Sequence, residues 1–155
     1  MQLSGKAALI TGASRGVGAA TALQLAKAGC RVAINFNQSA DRAEMVADQC
    51  RKEGVEAILV QGDVAEDAAC RAMAQQTVEV FGGLDILINN AGTTRFIDFQ
   101  DLDAVTDEDW ERIFAVNLKG PFQMARATRE ALAAGEGGVI VNTASIAGMV
   151  GAGSS

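Results

Sequence analysis

The 155 residues contain no histidine and no tyrosine, a single proline, a single tryptophan and three cysteines. Without histidine there is no imidazole to serve as a general base or as the commonest metal ligand. Cys30, Cys50 and Cys70 are odd in number and lack C-x-x-C spacing, so neither a disulfide framework nor a metal site is expected. They read as small apolar fillers near element ends. The N-terminus has no basic-then-apolar leader and no apolar run nears the length of a membrane span, so a cytoplasmic protein with no membrane partner is expected. Positive charge is also scarce. Thirteen Lys and Arg against 19 Asp and Glu leave a net charge of -6, which provides no basic face for phosphodiesters and argues against nucleic acid as a partner.

What the chain has in quantity is apolar residues, 49%, and glycine, 17 of them, enough for one globular domain over 1–155. Short apolar runs alternate with helical patterns along it. Strands are expected at 6–10 (KAALI), 31–36 (RVAINF), 56–60 (EAILV), 84–88 (LDILI) and 138–143 (GVIVNT), the last apolar on both faces like an interior parallel strand. Helices are expected at 19–28, with apolar positions Leu23, Leu25 and Ala26; at 39–53, capped by Ser39 and ended by Gly54; and at 66–80, with Met73 and Val80 on the buried side. A longer helix starts at Thr106 and runs to Ala134. The acids Asp98, Asp101, Asp103, Asp107, Glu108 and Asp109 read as a solvated loop and helix start, with no metal. The βαβαβαβαβ pattern implies a doubly wound parallel α/β sheet, and the usual strand order for it, 3-2-1-4-5, would put GVIVNT at an edge.

Residues 11–18, TGASRGVG, lie where the first strand gives way to the first helix. Gly12 permits a tight turn, Gly16 lets backbone N–H groups approach a pyrophosphate, and Gly18 allows close helix packing, while Ser14, Arg15 and Val17 complete a loop facing the phosphates at a helix N-terminus. Ligands in such sheets bind at the carboxyl ends of strands. Asp63, with Val64 beside it, follows the third strand and either accepts from an adenine amino group or caps a helix together with Glu66. Asn90, Ala91 and Gly92 of NNAG follow the fourth, and either let a ribose lie on the backbone or form a plain turn. Cofactor choice turns on Arg15 and Asn35. No carboxylate stands near Asn35, Phe36 and Asn37 to bind a ribose 2′-hydroxyl, whereas Arg15 can pair with a 2′-phosphate, so NADP is favoured over NAD.

These motifs, with Asn117 in NLKG and Ser145 in NTASIAG, resemble the short-chain dehydrogenase/reductase family from Gly5 onward, and within it the 3-oxoacyl-carrier-protein reductase-like members. The resemblance implies a Rossmann-type sheet that binds a nicotinamide dinucleotide, hydride exchange with a small carbonyl or alcohol substrate, and a homo-oligomer, commonly a tetramer. It makes Ser145 the catalytic serine on the substrate oxygen and Asn117 the asparagine that holds a relay water. Pro121 supports the second role, since four residues past Asn117 it cannot donate the helical bond to that carbonyl, whether the helix continues or breaks at Gly120. The family's tyrosine, about thirteen residues after the serine, and its lysine have no counterpart before Ser155, and neither do its last strands. Two expectations therefore stand side by side. One is an NADP-dependent reductase whose 155-residue piece alone is nearly inactive and apt to associate through its fifth strand. The other is a non-catalytic NADP-binding module or pseudoenzyme.

Overall fold

Runs of Ala, Val, Ile and Leu too short for helices, each closed by Gly or a polar residue, become the strands. In the computed structural model, which describes residues 2–98, 100–134 and 137–149, these are β1 (Ala7–Ile10), β2 (Arg31–Phe36), β3 (Ala57–Gln61), β4 (Ile86–Asn89) and β5 (Val139–Asn142). All pair in parallel, in the order β3-β2-β1-β4-β5. The helices are α1 (Gly16–Lys27), α2 (Ala40–Lys52), α3 (Asp67–Phe81), α4 (Asp107–Phe114) and α5 (Gly120–Ala133). The expected doubly wound sheet is therefore present.

Successive strand residues face opposite sides, and both sides are apolar. Ala8, Ile10, Val32, Ile34, Ile86 and Ile88 pack with Ala22 and Ala26 of α1 and with Ala43, Val46 and Ala47 of α2. Ala7, Leu9, Ala33, Val60 and Leu87 pack with Cys70 and Met73 of α3 and with Met124 and Leu132 of α5. Cys30, Cys50 and Cys70 are fully buried within these layers, as fillers should be. Burial, the leading cause, raises the pKa of the Cys70 thiol to about 11. Among the described residues no helix is long and apolar enough to cross a membrane.

Several local expectations need correction. The first helix begins at Gly16 rather than residue 19, and its buried stripe is Gly18, Ala22 and Ala26 instead of the leucines. Small residues spaced by four bring the helix close to the sheet, while Leu25 packs at the margin and Leu23 is half-buried. In α3 the buried stripe is Cys70, Met73, Ala74, Thr77 and Phe81, and Val80, at its edge, is 45% exposed. Strand β5 lies at the sheet edge, as the order 3-2-1-4-5 requires, with Val139, Ile140 and Val141 39%, 44% and 45% exposed.

The helix begun at Thr106 opens with a reciprocal capping box, Thr106 with Asp109, so that these acids serve the helix start. It does not break at Gly120-Pro121. Instead a π-helical turn, Ala115–Lys119, joins α4 to α5, and the Gly120 N–H donates to the carbonyl of Ala115, five residues back. Gly120 is required for packing rather than for a kink. A Cβ there would sit 2.8 Å from Cγ2 and 3.3 Å from the carbonyl oxygen of Val64, whose oxygen is held at 2.7 Å by Gln123 Nε2.

Gly120→Ala therefore tests the contact between α5 and the loop after β3. Alanine gains up to about 1 kcal/mol in helix propensity, but roughly 1–3 kcal/mol of overpacking against a stiff β-branched side chain outweighs it. The expected result is a lower urea midpoint with an unchanged slope. A midpoint equal to or above that of the parent contradicts the reading.

Candidate functional site

Strand order reverses between β1 and β4, since the chain leaves β1 toward β2 and β3 and returns to β4 on the other side. The crevice outside the carboxyl ends of the strands at such a switch point is where open α/β sheets bind ligands. A cavity of about 660 Å³ occupies it here, within the ~300–1,000 Å³ typical of small-molecule sites.

The glycine loop forms one wall. Gly12 and Gly16 have φ of +62° and +58°, the left-handed region that L side chains avoid. A Cβ on Gly12 would also come within 2.8 Å of the Ala91 Cα, and one on Gly18 within 2.5 Å of the Asn90 amide nitrogen. The close approach allowed by Gly18 is thus to the loop that follows β1, at the Gly12 carbonyl oxygen and the Ala13 Cα, and to the Asn90 side chain. Gly16 faces open space, so its backbone is accessible from the cavity. Ser14, Arg15 and Val17 complete this wall. Arg15 is exposed and pairs with none of the described residues.

Hydrogen bonds fix the loop from two directions. The Asn35 side chain accepts from the Gly12 N–H at 3.0 Å, and its carbonyl accepts from Ala13 at 2.8 Å. Its amide nitrogen donates to the carbonyls of Val60 and Gly62. Asn35 thus reaches the cavity wall, but its side chain holds the loop in shape and is not presented to a ligand. On the other side the Thr11 hydroxyl accepts from the N–H groups of Asn90 and Ala91, at 2.9 and 3.0 Å. Asn90 Nδ2 returns bonds to the carbonyls of Thr11 and Gly12. Asn90, Ala91 and Gly92 therefore line the cavity beside the loop, as expected.

Asp63 and Val64 line the third side. Asp63 Oδ1 accepts from Ala65 N at 2.9 Å, and Oδ2 accepts from Asn37 Nδ2 at 3.1 Å and pairs with Arg112 Nη1 at 2.8 Å. It is not the side-chain cap of α3, whose N-cap is Glu66. Burial pushes the Asp63 carboxyl pKa upward, but the Ala65 N–H and Arg112 outweigh it and hold the group below the usual carboxylate value.

Three sequence candidates lie outside the cavity lining. Gly18 lies beneath the loop. Asn117 pairs its side chain with the Thr93 backbone, donating to the carbonyl and accepting from the N–H at 2.8 Å each, and so braces the turn after β4. Ser145 is exposed after β5, with its hydroxyl accepting from Ala147 N. Residues 150–155, where the sequence stops short of the family's tyrosine, lie outside the described residues. Sequence reading missed Thr11 and Arg112. Nothing local marks a buried hydroxyl whose partners are 79 and 80 residues away, or an arginine facing a carboxylate from another helix.

Comparison with known proteins agrees with this geometry. Residues 6–155 match the family model described as short chain dehydrogenase. The chain belongs to the short chain dehydrogenase family. The chain is 38% identical over 146 residues to the 3-oxoacyl-[acyl-carrier-protein] reductase FabG of Staphylococcus aureus, covering 94% of itself and 58% of that protein. It is 41% identical over 152 residues to versicolorin reductase stcU of Emericella nidulans, covering 96% of itself and 56% of the relative. The chain therefore spans less than two thirds of these curated relatives. A crystal structure of a short chain dehydrogenase from Burkholderia cenocepacia in complex with NADP superposes with a TM-score of 0.91 at 40% identity, covering 99% of this chain and 61% of the other.

Thr11→Val keeps the size of the side chain but removes the acceptor of two N–H groups. A fully buried orphaned donor costs roughly 1–3 kcal/mol; these two are partly buried, so denaturation should show a loss of about 1 kcal/mol or more. A change below about 0.5 kcal/mol, the range of neutral surface substitutions, contradicts the role given to Thr11.

Proposed function

We propose that these residues form the cofactor-binding part of an NADP-dependent oxidoreductase that moves a hydride between the nicotinamide and a small carbonyl or alcohol substrate, of 3-oxoacyl reductase type. The observation that carries the reading is Arg15, exposed and unpaired among the described residues, on the wall of a cavity whose lining just past β2 is neutral: Asn37, Gln38 and Ser39. An unpaired guanidinium with no carboxylate beside the end of β2 suits a 2′-phosphate and lacks the acid that would bind a free 2′-hydroxyl. The solved relative in complex with NADP and the FabG relative support this choice of cofactor and substrate class.

The cavity fits such a group on its own terms. The Gly16 backbone and the start of α1 provide N–H donors for a pyrophosphate, Ala91 and Gly92 offer a flat backbone for a ribose, and Asp63 offers a carboxylate to an amino group of the base. The reduced nicotinamide supplies the hydride when bound. Ser145 donates a hydrogen bond to the substrate oxygen, and the Asn117 main-chain carbonyl holds a water for proton delivery within the π-helical turn, a frequent feature of functional sites. The 155 residues contain no tyrosine to act as general acid, and losing that group costs about 10²–10⁴-fold in rate, so the chain in isolation is nearly inactive. The intact protein acts in the cytoplasm as a homo-oligomer. A second reading, a non-catalytic NADP-binding module, is favoured by the position of Ser145 outside the cavity lining.

The charge-assisted contact of Arg15 is worth roughly 1.5–3 kcal/mol, which makes NADPH bind at least about tenfold more tightly than NADH. Fluorescence titration should show that preference, and Arg15→Ala should remove most of it. Equal dissociation constants in the unsubstituted protein contradict the NADP assignment.

A further inference from the structure

Arg112 belongs to no motif, yet it and Arg15 are the cations on the cavity wall. It extends from α4 to the carboxylate of Asp63 on the loop after β3. A carboxylate oxygen offers about two acceptor directions. Oδ2 uses both, one for Arg112 and one for Asn37 Nδ2, whereas Oδ1 uses one, for Ala65 N. The group is thus held by the end of β2, by its own loop and by α4, with a single acceptor direction left. An ion pair with side chains 48% and 23% exposed contributes little to stability by itself, so its consequence lies in the orientation of the carboxylate.

The geometry points to Arg112 as a positioning residue for the base of the ligand: by occupying Oδ2 it leaves Oδ1 as the acceptor for the exocyclic amino group of an adenine-type base. The inference rests on the dinucleotide reading above and adds to it a residue that acts on the base through Asp63. A carboxylate fixed beforehand binds an N–H donor without losing rotational freedom on binding. Arg112 also helps to hold Asp63 below its ordinary pKa against burial. The other ionisable group that interacts with Asp63 is the Cys70 thiol, at about 11, which stays neutral over the range in which a carboxyl titrates.

The test compares NADP with the analogue carrying hypoxanthine in place of adenine, which lacks the amino group. Both are titrated calorimetrically into the protein and its Arg112→Ala, Arg112→Lys and Asp63→Asn variants, with thermal midpoints confirming that each is folded. The unsubstituted protein should favour NADP by roughly tenfold, the scale of one hydrogen bond to a charged acceptor. Arg112→Ala should reduce that ratio to about threefold or less, Arg112→Lys should restore much of it, and adding Arg112→Ala to Asp63→Asn should change nothing further. The acid limb of NADP binding should also move to higher pH in Arg112→Ala, because Asp63 then protonates more readily. An undiminished ratio and an unmoved acid limb in Arg112→Ala overturn the inference. Equal binding of the two ligands by the unsubstituted protein also overturns it but leaves the dinucleotide reading standing. Binding of neither overturns the dinucleotide reading, and the inference with it.

Discussion

The hydrogen bonds that tie residues 11–13 to Asn35 on one side and to the turn after β4 on the other are the constraint on which the cavity depends. Thr11, Gly12 and Ala13 cannot follow the sheet once β1 ends, and their polar backbone groups would be costly to bury without partners. Asn35 takes the N–H groups of Gly12 and Ala13, and Asn90 takes the carbonyls of Thr11 and Gly12. Once these are satisfied the loop has one shape, and that shape sets the start of α1 and the exposed backbone at Gly16. The two glycines with left-handed backbone and the missing Cβ of Gly18 are what this shape demands of the sequence.

The second half of the chain supports this arrangement from the far side of the sheet. Gly120 and Gln123 anchor Val64, Arg126 reaches Asp67 on α3, and Arg112 reaches Asp63, so the loop after β3 is held by one long helix. The π-helical turn lies between these anchors and carries Asn117, whose side chain braces Thr93 beside the cavity. The helix that covers this face of the sheet therefore also sets the position of two of the three walls.

Most of the fold was legible because its signals are local. Apolar runs of strand length, glycines that end helices and the β–loop–α spacing around TGASRGVG give the parallel sheet directly, while its order follows the one usual for such sheets. The site was legible where the backbone itself makes the demand, at Gly12, Gly16, Gly18 and Ala91-Gly92. It was not legible where the partner is remote. Asn35 read as a neutral neighbour of a ribose, and only the fold shows its amide turned toward Gly12. Thr11 and Arg112 carried no signal, since the groups they meet are brought together by strand order and by helix packing. Val80 was misassigned because periodicity leaves the edge of a buried stripe undecided. The strand order already implied that β5, apolar on both faces, is an edge strand, and its side chains are partly exposed there.

The central claim is that a preformed dinucleotide cavity stands at the β1/β4 switch point with the glycine loop as its wall. It is tested most directly by following the backbone amides of the isotopically labelled protein by NMR as NADP is added. The account predicts that the largest shifts fall together on residues 12–18, 37–39, 62–64 and 90–93, with the amides of α2 and of β5 little changed. Shifts centred elsewhere, or none at millimolar NADP, would contradict it.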